Sequence, residues 1–311
     1  MTSSLALVST APAQIARTTI AAHSKSFALA SKLLDPRTRD QTAIVYTWCR
    51  RADDAIDDTR VLSTREAELA RLHDELALAY DGAASDPVLA AFGRVAIDRA
   101  IPIAYPAALL AGMAMDVADT RYATLDDLRL YCWRVAGVVG LMMTHVFGID
   151  DDRALVNAAH LGIGMQLTNI CRDTVEDWDR GRLYLPGDLL AAHGAHDLAS
   201  DLGRPLPASA LAPINATVRE LLVIADRYYA SGDRGLRALP WRAALAVKSA
   251  SNVYRAIGTR IRDVSAGRAV VSTSGKLARV LAAAARITFM RNARGARVPT
   301  QSLELADVPE P

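Results

Sequence analysis

Two pairs of aspartates stand out by type and spacing. Asp53 and Asp57 lie in the run WCRRADDAIDD, and Asp173 and Asp177 lie in NICRDTVEDWD. On a helix, i, i+4 spacing puts both carboxylates of a pair on one face. Like charges so placed disfavour an isolated helix by about 0.2–0.5 kcal/mol. Here the arrangement occurs twice, each time with an arginine close by, Arg50 and Arg172. That combination points to a cation between the pairs. Hard divalent ions take carboxylate oxygens, and Mg²⁺ is usually held by one or two carboxylates plus substrate phosphates. The chemistry indicated is a Mg²⁺–diphosphate site between two helices.

An isolated DxxxD is more often a solvated helix end than a metal site. Context argues otherwise here. The first pair follows Ile44, Val45, Tyr46, Trp48 and Cys49, and the second follows the run Leu161 to Leu167. Acids that lead out of apolar helices are costly unless paired or bound to metal. Gln166, Asn169, Asp173 and Asp177 also fall on one helical stripe, a polar seam suited to the wall of a cavity. Arg180 and Arg182, in DRGRLYLP, could close over an anion or be ordinary loop arginines. His23, Ser24, Lys25 and Ser26 offer an imidazole, two hydroxyls and a cation near a helix start, a set suited to diphosphate oxygens.

The elements that must position these residues read as helices nearly throughout. Ser63 and Glu66 form a capping-box pattern ahead of a stripe of Leu69, Leu72, Leu76 and Tyr80. Asp86-Pro87 starts another helix, with Val88, Phe92 and Val95 inward. Thr124 and Asp127 open a helix carrying Tyr131, Val135, Val138, Val139, Met142 and Met143. Asp150 to Asp152 begin a long one that runs through Asp177 and stops at Gly181. Later helices are expected to start near Pro213, Pro240 and Ser274, with Gly232 and Gly267 as punctuation. The segment 200–213 reads as an extended loop. No stretch alternates with period two, and no repeat recurs. The expectation is one all-α domain over 15–293, a helical bundle around a central cavity, with flexible tails at 1–14 and 294–311.

Composition agrees. The chain has 311 residues, 51% of them hydrophobic and only 5% aromatic, with a net charge of +2. That charge gives no argument for nucleic acid. Cys49, Cys132 and Cys171 lack metal-ligand spacing and fit small buried thiols in a reducing cytoplasm. The N-terminal run lacks the charged start and longer apolar core of a secretory signal. The uncharged stretch Val135–Ile149 falls short of the ~20 residues a bilayer span needs, so a buried helix explains it better.

The runs HSKSF, YTWCRRADDAIDD, YCWRVAGVVGLMM, GMQLTNICRDTVEDWDRGRLYLP and NVYRAIG together resemble the squalene/phytoene synthases, in consistent order over about residues 15 to 290. Bacterial phytoene-forming members look nearest. The resemblance implies an all-α isoprenoid-synthase fold. It implies Mg²⁺, with Mn²⁺ as the alternative ion, held by Asp53, Asp57, Asp173, Asp177 and Asn169. His23, Ser24, Ser26, Tyr46, Arg50, Gln166, Asn169, Arg172 and Arg268 fall on positions near the diphosphates. Phe27, Tyr131, Val135, Val139 and Gly164 fall on the prenyl channel, and Tyr254 near the reacting ends. The segment after Tyr254 looks shorter than in many relatives, which makes Arg268 the weakest match. Ala55 and Cys171 replace larger aliphatic residues but supply no ligand.

The implied activity is head-to-head condensation of two geranylgeranyl diphosphates, through a cyclopropyl diphosphate, to phytoene in carotenoid biosynthesis. No NADPH is expected for it. The rival reading is a dehydrosqualene or squalene synthase using the C15 farnesyl diphosphate, separated by the depth of the channel. A non-catalytic helical lipid-binding or assembly protein would have lost metal ligands that are all present here. A metal phosphohydrolase would usually need histidine ligands, and the six histidines are scattered.

Gly137, Gly140, Gly162 and Gly164 could leave room for prenyl tails or allow close helix contact. At the C-terminal end, Leu277, Val280, Leu281, Ala284 and Ile287 form one stripe, with Lys276, Arg279, Arg286, Arg291, Arg294 and Arg297 adding charge. A basic amphipathic helix can lie on anionic lipid. A cytoplasmic protein, peripheral on the inner face of the membrane, is the expectation; the sequence is silent on oligomeric state.

Overall fold

Local capping chemistry sets several of the helix boundaries. The computed structural model describes residues 10–57, 62–196 and 198–292, and every regular element among them is helical. The chain begins with α1 (Thr10–His23), α2 (Lys25–Ser31), α3 (Pro36–Asp57) and α4 (Leu62–Tyr80). Helix α1 reaches back to Thr10 and buries Ala13, so the first helix starts ahead of the expected boundary at residue 15. Residues 1–9 and 293–311, including Arg294 and Arg297, lie outside the described residues. Ser63 is exposed and already inside α4, so it is not the cap the pattern suggested.

Asp86 caps α5 (Pro87–Asp98), accepting from the Val88 and Leu89 amides, and Val88, Phe92 and Val95 are buried as expected. The apolar α6 (Ala104–Val117) follows. Thr124 and Asp127 form a reciprocal capping box on α7 (Leu125–Cys132). A π-turn at Trp133–Gly137 then joins α7 to α8 (Val138–Val146). This widened turn is a feature often found at functional sites. Asp151 caps α9 (Asp152–Asp179), and Gly181 terminates it at φ 78°.

The short α10 (Gly187–Ala192) leads to α11 (Ala208–Gly235). Pro213 lies inside α11, which starts five residues earlier than expected, so 208–213 is helix and not loop. Gly232 also lies within α11; its missing side chain admits Leu161, whose Cβ would stand 2.9 Å from an added methyl. The last two helices are α12 (Trp241–Gly258), begun after Pro240, and α13 (Thr273–Asn292), with Gly267 in a left-handed turn ahead of it.

Helices α9 and α11 are the longest, at 28 residues each, and pack along one another. By length and composition α11 could cross a bilayer. Its inner face instead buries Ile214, Leu221, Tyr228 and Tyr229, while Arg219, Glu220, Asp226 and Arg227 are exposed. The core continues through Trp178, Phe92, Leu110 and Leu128. Close approach settles the role of two glycines. A Cβ on Gly162 would lie 2.2 Å from the Ala136 carbonyl, and one on Gly140 2.4 Å from that of Ala158.

Candidate active site

Helices α3 and α9 each run along a large cavity and carry their acids at its end. The cavity, about 780 Å³, is lined by residues of α1, α2, α3, α6, α7, the π-turn, α8, α9, α11, α12 and the start of α13. On its wall stand His23, Ser24, Ser26, Phe27, Tyr46, Arg50, Asp53, Tyr131, Val135, Val139, Gln166, Asn169, Arg172, Tyr254 and Arg268. The structure thus gathers nearly all the residues expected at the diphosphate and prenyl positions. Gly164 is the exception among the channel residues. It faces α11, where an added Cβ would meet the Ala225 carbonyl and the Tyr228 Cβ, each at 3.2 Å. Its smallness serves helix packing, not the channel.

Asp57, Asp173 and Asp177 lie just beyond the lining, further along the same helices. Every one of these acids has a cationic neighbour. Arg50 bonds Asp53 at 2.9 Å and also pairs with Asp54. Arg172 holds Asp173 at 2.7 Å, and Arg268 reaches the same carboxylate at 2.9 Å. Arg182 bonds Asp57 at 3.0 Å across the gap from α9 to α3. Asp177 lies in the field of Arg182 and Arg180. Asp53 is pushed up to about 6 by burial and by Asp57 beside it. Burial and Asp173 push Asp177 up to about 7. Both shifts come first from burial and then from the neighbouring carboxylate, and the arginines offset them only in part.

The donor set fits a hard divalent cation. Asn169 donates to Gln166 at 3.3 Å, while its own amide oxygen is buried with no partner. That orphan acceptor lies on the stripe that leads to Asp173 and Asp177. No three His, Cys, Asp or Glu side chains form a closed cage among the described residues. Two separate carboxylate arms suit an ion whose remaining ligands come from phosphate and water.

Close to the acidic arms, Ser24 caps α2 by accepting from the Phe27 amide at 3.2 Å, and Phe27 packs against Tyr46 and Tyr254. Burial pushes the Tyr46 hydroxyl up to about 12 and raises that of Tyr254, so both stay neutral phenols. Cys132 and Cys171 are buried, and burial pushes all three thiols up, Cys49 to about 12. They act as small apolar fillers.

Two wall residues, Lys276 and Asp116, escaped the sequence reading of the site, whereas Lys25 was read with the diphosphate set. Lys25 and Lys276 line the cavity, and burial together with Lys25 lowers the pKa of the Lys276 ammonium. Asp116, from the apolar α6, accepts from the hydroxyls of Tyr131 and Tyr184. A lone acid in AGMAMDV carries no spacing signal, so only the folded wall shows its place.

An all-α bundle with two carboxylate arms at one end of a deep, largely apolar cavity defines an enzyme that acts on prenyl diphosphates. The chain belongs to the squalene/phytoene synthase family, whose description, "Squalene/phytoene synthase", matches residues 20–278. It is 43% identical over 287 residues to a 15-cis-phytoene synthase of Enterobacter agglomerans, covering 88% of this chain and 95% of that one. A 15-cis-phytoene synthase of Pantoea ananas is 40% identical, with 88% and 91% covered. Among solved structures, a ligand complex of a dehydrosqualene synthase superposes with a TM-score of 0.79 at 28% identity, over 90% of this chain and 97% of that one.

Proposed function

We propose that this chain condenses two geranylgeranyl diphosphates head to head to phytoene, with Mg²⁺ bound by the aspartate arms and Asn169. It is a prenyltransferase of the phytoene synthase type, by its identity to the curated enzymes over most of its length. The observation that carries the substrate reading is the continuity of polar arms with a long apolar wall. On α9 the lining runs from Ala154 to Arg172, about 27 Å at ~1.5 Å per residue. An extended C20 isoprenoid tail is on the order of 20 Å, given C–C bonds near ~1.5 Å. The wall accommodates that tail with the diphosphate at the acidic end.

Bound Mg²⁺ would supply Lewis-acid charge to the departing diphosphate. Arg50, Arg172 and Arg268 add fixed positive charge where diphosphate oxygens gather. Ser24, Ser26 and His23 offer hydrogen bonds to the same groups. Phe27, Tyr46 and Tyr254 place electron-rich rings beside the allylic carbons, where they stabilise cationic character. Val135, Val139 and Met165 keep water from a cation it would quench.

A C40 hydrocarbon does not dissolve in water, and contact with the inner face of the cytoplasmic membrane is part of the proposal. Helix α13 splits the expected stripe. Ala283 and Ile287 are buried, whereas Leu277 is 57% and Leu281 65% exposed. Val270, 70% exposed, lines the cavity together with Lys276. Exposed apolar side chains next to basic ones suit an anionic lipid surface. Flotation with anionic liposomes checks this, and protein left at the bottom of the gradient refutes it.

The activity itself is tested by incubating pure protein with geranylgeranyl diphosphate and Mg²⁺, without NADPH, and extracting with hexane. Phytoene is the expected product. Turnover of farnesyl diphosphate alone would move the assignment to the C15 branch.

A further inference from the structure

Asp116 belongs to neither acidic arm, yet it lines the same cavity as Asp53 and Tyr131. Its carboxylate is fully engaged. The Tyr131 hydroxyl donates to it at 3.0 Å, and the Tyr184 hydroxyl donates at 2.7 Å. The buried Arg65 donates to the Asp116 backbone carbonyl, which pins the end of α6. The Tyr131 ring packs against the rings of Tyr122 and Tyr184, both with centroids at 5.2 Å.

These contacts reach three separate segments. Tyr131 comes from α7, Asp116 from α6, and Tyr184 from the loop after α9 that also carries Arg182, the partner of Asp57. An anionic carboxylate inside an apolar wall is costly without strong donors. Neighbouring rings and hydroxyls hold it in a single arrangement. With its proton committed to Asp116, Tyr131 is held in one rotation, so its ring and oxygen keep a fixed place on the wall.

We propose that Asp116 is a positioning residue for the condensation: it fixes the Tyr131 phenol on the cavity wall and holds the Tyr184 loop beside the diphosphate end. This rests on the reading that the chain condenses prenyl diphosphates. A fixed phenol backed by a carboxylate places negative potential where positive charge develops on the prenyl carbons. Pre-set dipoles of this kind favour the transition state over the bound substrate, so their loss falls on kcat.

The test uses full-length Asp116→Asn, Tyr131→Phe, Tyr184→Phe and the Asp116→Asn/Tyr131→Phe pair, assayed with Mg²⁺ and each of the C15 and C20 diphosphates. Asp116→Asn is expected to lower kcat about 10- to 100-fold with KM within about two-fold. Tyr184→Phe, which removes one donor, gives a smaller loss, and the double variant falls no further than the worse single one. Multiplicative losses in the double variant, or a KM rise that accounts for the whole loss, would overturn the proposal.

A second measurement needs no turnover. Nitration by tetranitromethane, mapped by mass spectrometry, should modify Tyr131 faster in Asp116→Asn than in the unaltered protein, at matched thermal midpoints. If Asp116→Asn does not fold, Tyr184→Phe is put through the same comparison. Equal nitration rates would defeat the positioning role. Unaltered protein that converts neither diphosphate would defeat the functional reading instead, and the nitration result would stand apart from it.

Discussion

Arg182 reaches Asp57 at 3.0 Å, so a residue that follows one acidic helix neutralises the acid at the end of the other. Burial alone would weaken the guanidinium charge, but Tyr184, Asp57 and Asp116 around it hold it firmly cationic. The pair is partly exposed, so its own contribution to stability is small, about 0–1 kcal/mol. Its value is placement: one permanent positive charge lies between the two arms, where a diphosphate and its cations are to sit.

Arg182→Gln should therefore leave the fold intact and lower kcat about ten-fold, the scale of one lost charge contact at a departing anion. Asp57 is freed in the variant, so half-saturating Mg²⁺ should not rise. Steady-state rates across a Mg²⁺ titration check both. A large increase in the Mg²⁺ requirement would place Arg182 among the groups that help bind the ion.

The acids themselves carry more. Asp53→Asn and Asp177→Asn each remove a charge from a different arm while preserving shape. Each should cut turnover of geranylgeranyl diphosphate at least about 100-fold, the several kcal/mol expected of charge stabilisation in a water-poor site. Wild-type turnover in either variant contradicts the metal assignment.

The same two carboxyls set a pH signature. Their pKa values in the fold, about 6 for Asp53 and about 7 for Asp177, lie above the ordinary 3.8. The folded state then binds more protons than the unfolded chain between about pH 4 and 7, and stability falls as pH rises through that window. Metal-free protein should melt higher at about pH 5.5 than at about pH 8, and Asp53→Asn/Asp177→Asn should flatten the difference. Added Mg²⁺ binds the deprotonated arms, so it should raise the midpoint more at the higher pH. Scanning fluorimetry at both pH values, with and without the ion, reads all of this.

Close packing gives a prediction of another kind. With a Cβ 2.2 Å from the Ala136 carbonyl, Gly162→Ala has to push the π-turn away from α9. Overpacking of this sort costs about 1–3 kcal/mol. A lowered denaturation midpoint with unchanged slope checks it, and an unchanged midpoint would show that the helices can part freely there.

Some features were legible in the sequence because their causes are local. Thr124 with Asp127, and Asp86 before Pro87, satisfy amide donors within a few residues, so a short window shows them. The stripe of Gln166, Asn169, Asp173 and Asp177 was visible because one helix carries it all. Features that depend on a distant partner were not. Asp116 becomes a site residue only when Tyr131 and Tyr184 arrive from elsewhere in the chain. Gly164 was placed in the channel by resemblance, but its neighbour turned out to be α11. Pro213 was read as a helix start, whereas α11 begins five residues before it. The stripe on α13 divides because Ala283 and Ile287 meet the bundle while Leu277 and Leu281 do not.

Channel depth decides between the C20 and C15 substrates, and the wall shows where to test it. Ala154 is buried in the lining near the start of α9, opposite in direction to the acids at that helix's end. It lies about 22 Å along the helix from Asn169, just beyond the reach of an extended C20 tail. A phenyl group there fills the floor of the channel that the last isoprene unit approaches, while a tail one unit shorter stops clear of it. Ala154→Phe should thus lower kcat/KM for geranylgeranyl diphosphate far more than for farnesyl diphosphate, with thermal stability reduced by about 1–3 kcal/mol of overpacking. Competition between the two diphosphates in one reaction, with C40 and C30 hydrocarbons separated afterwards, reads the ratio directly. An equal loss for both would mean that the tail does not run along α9 toward Ala154, and that the depth of this wall is not what selects the substrate.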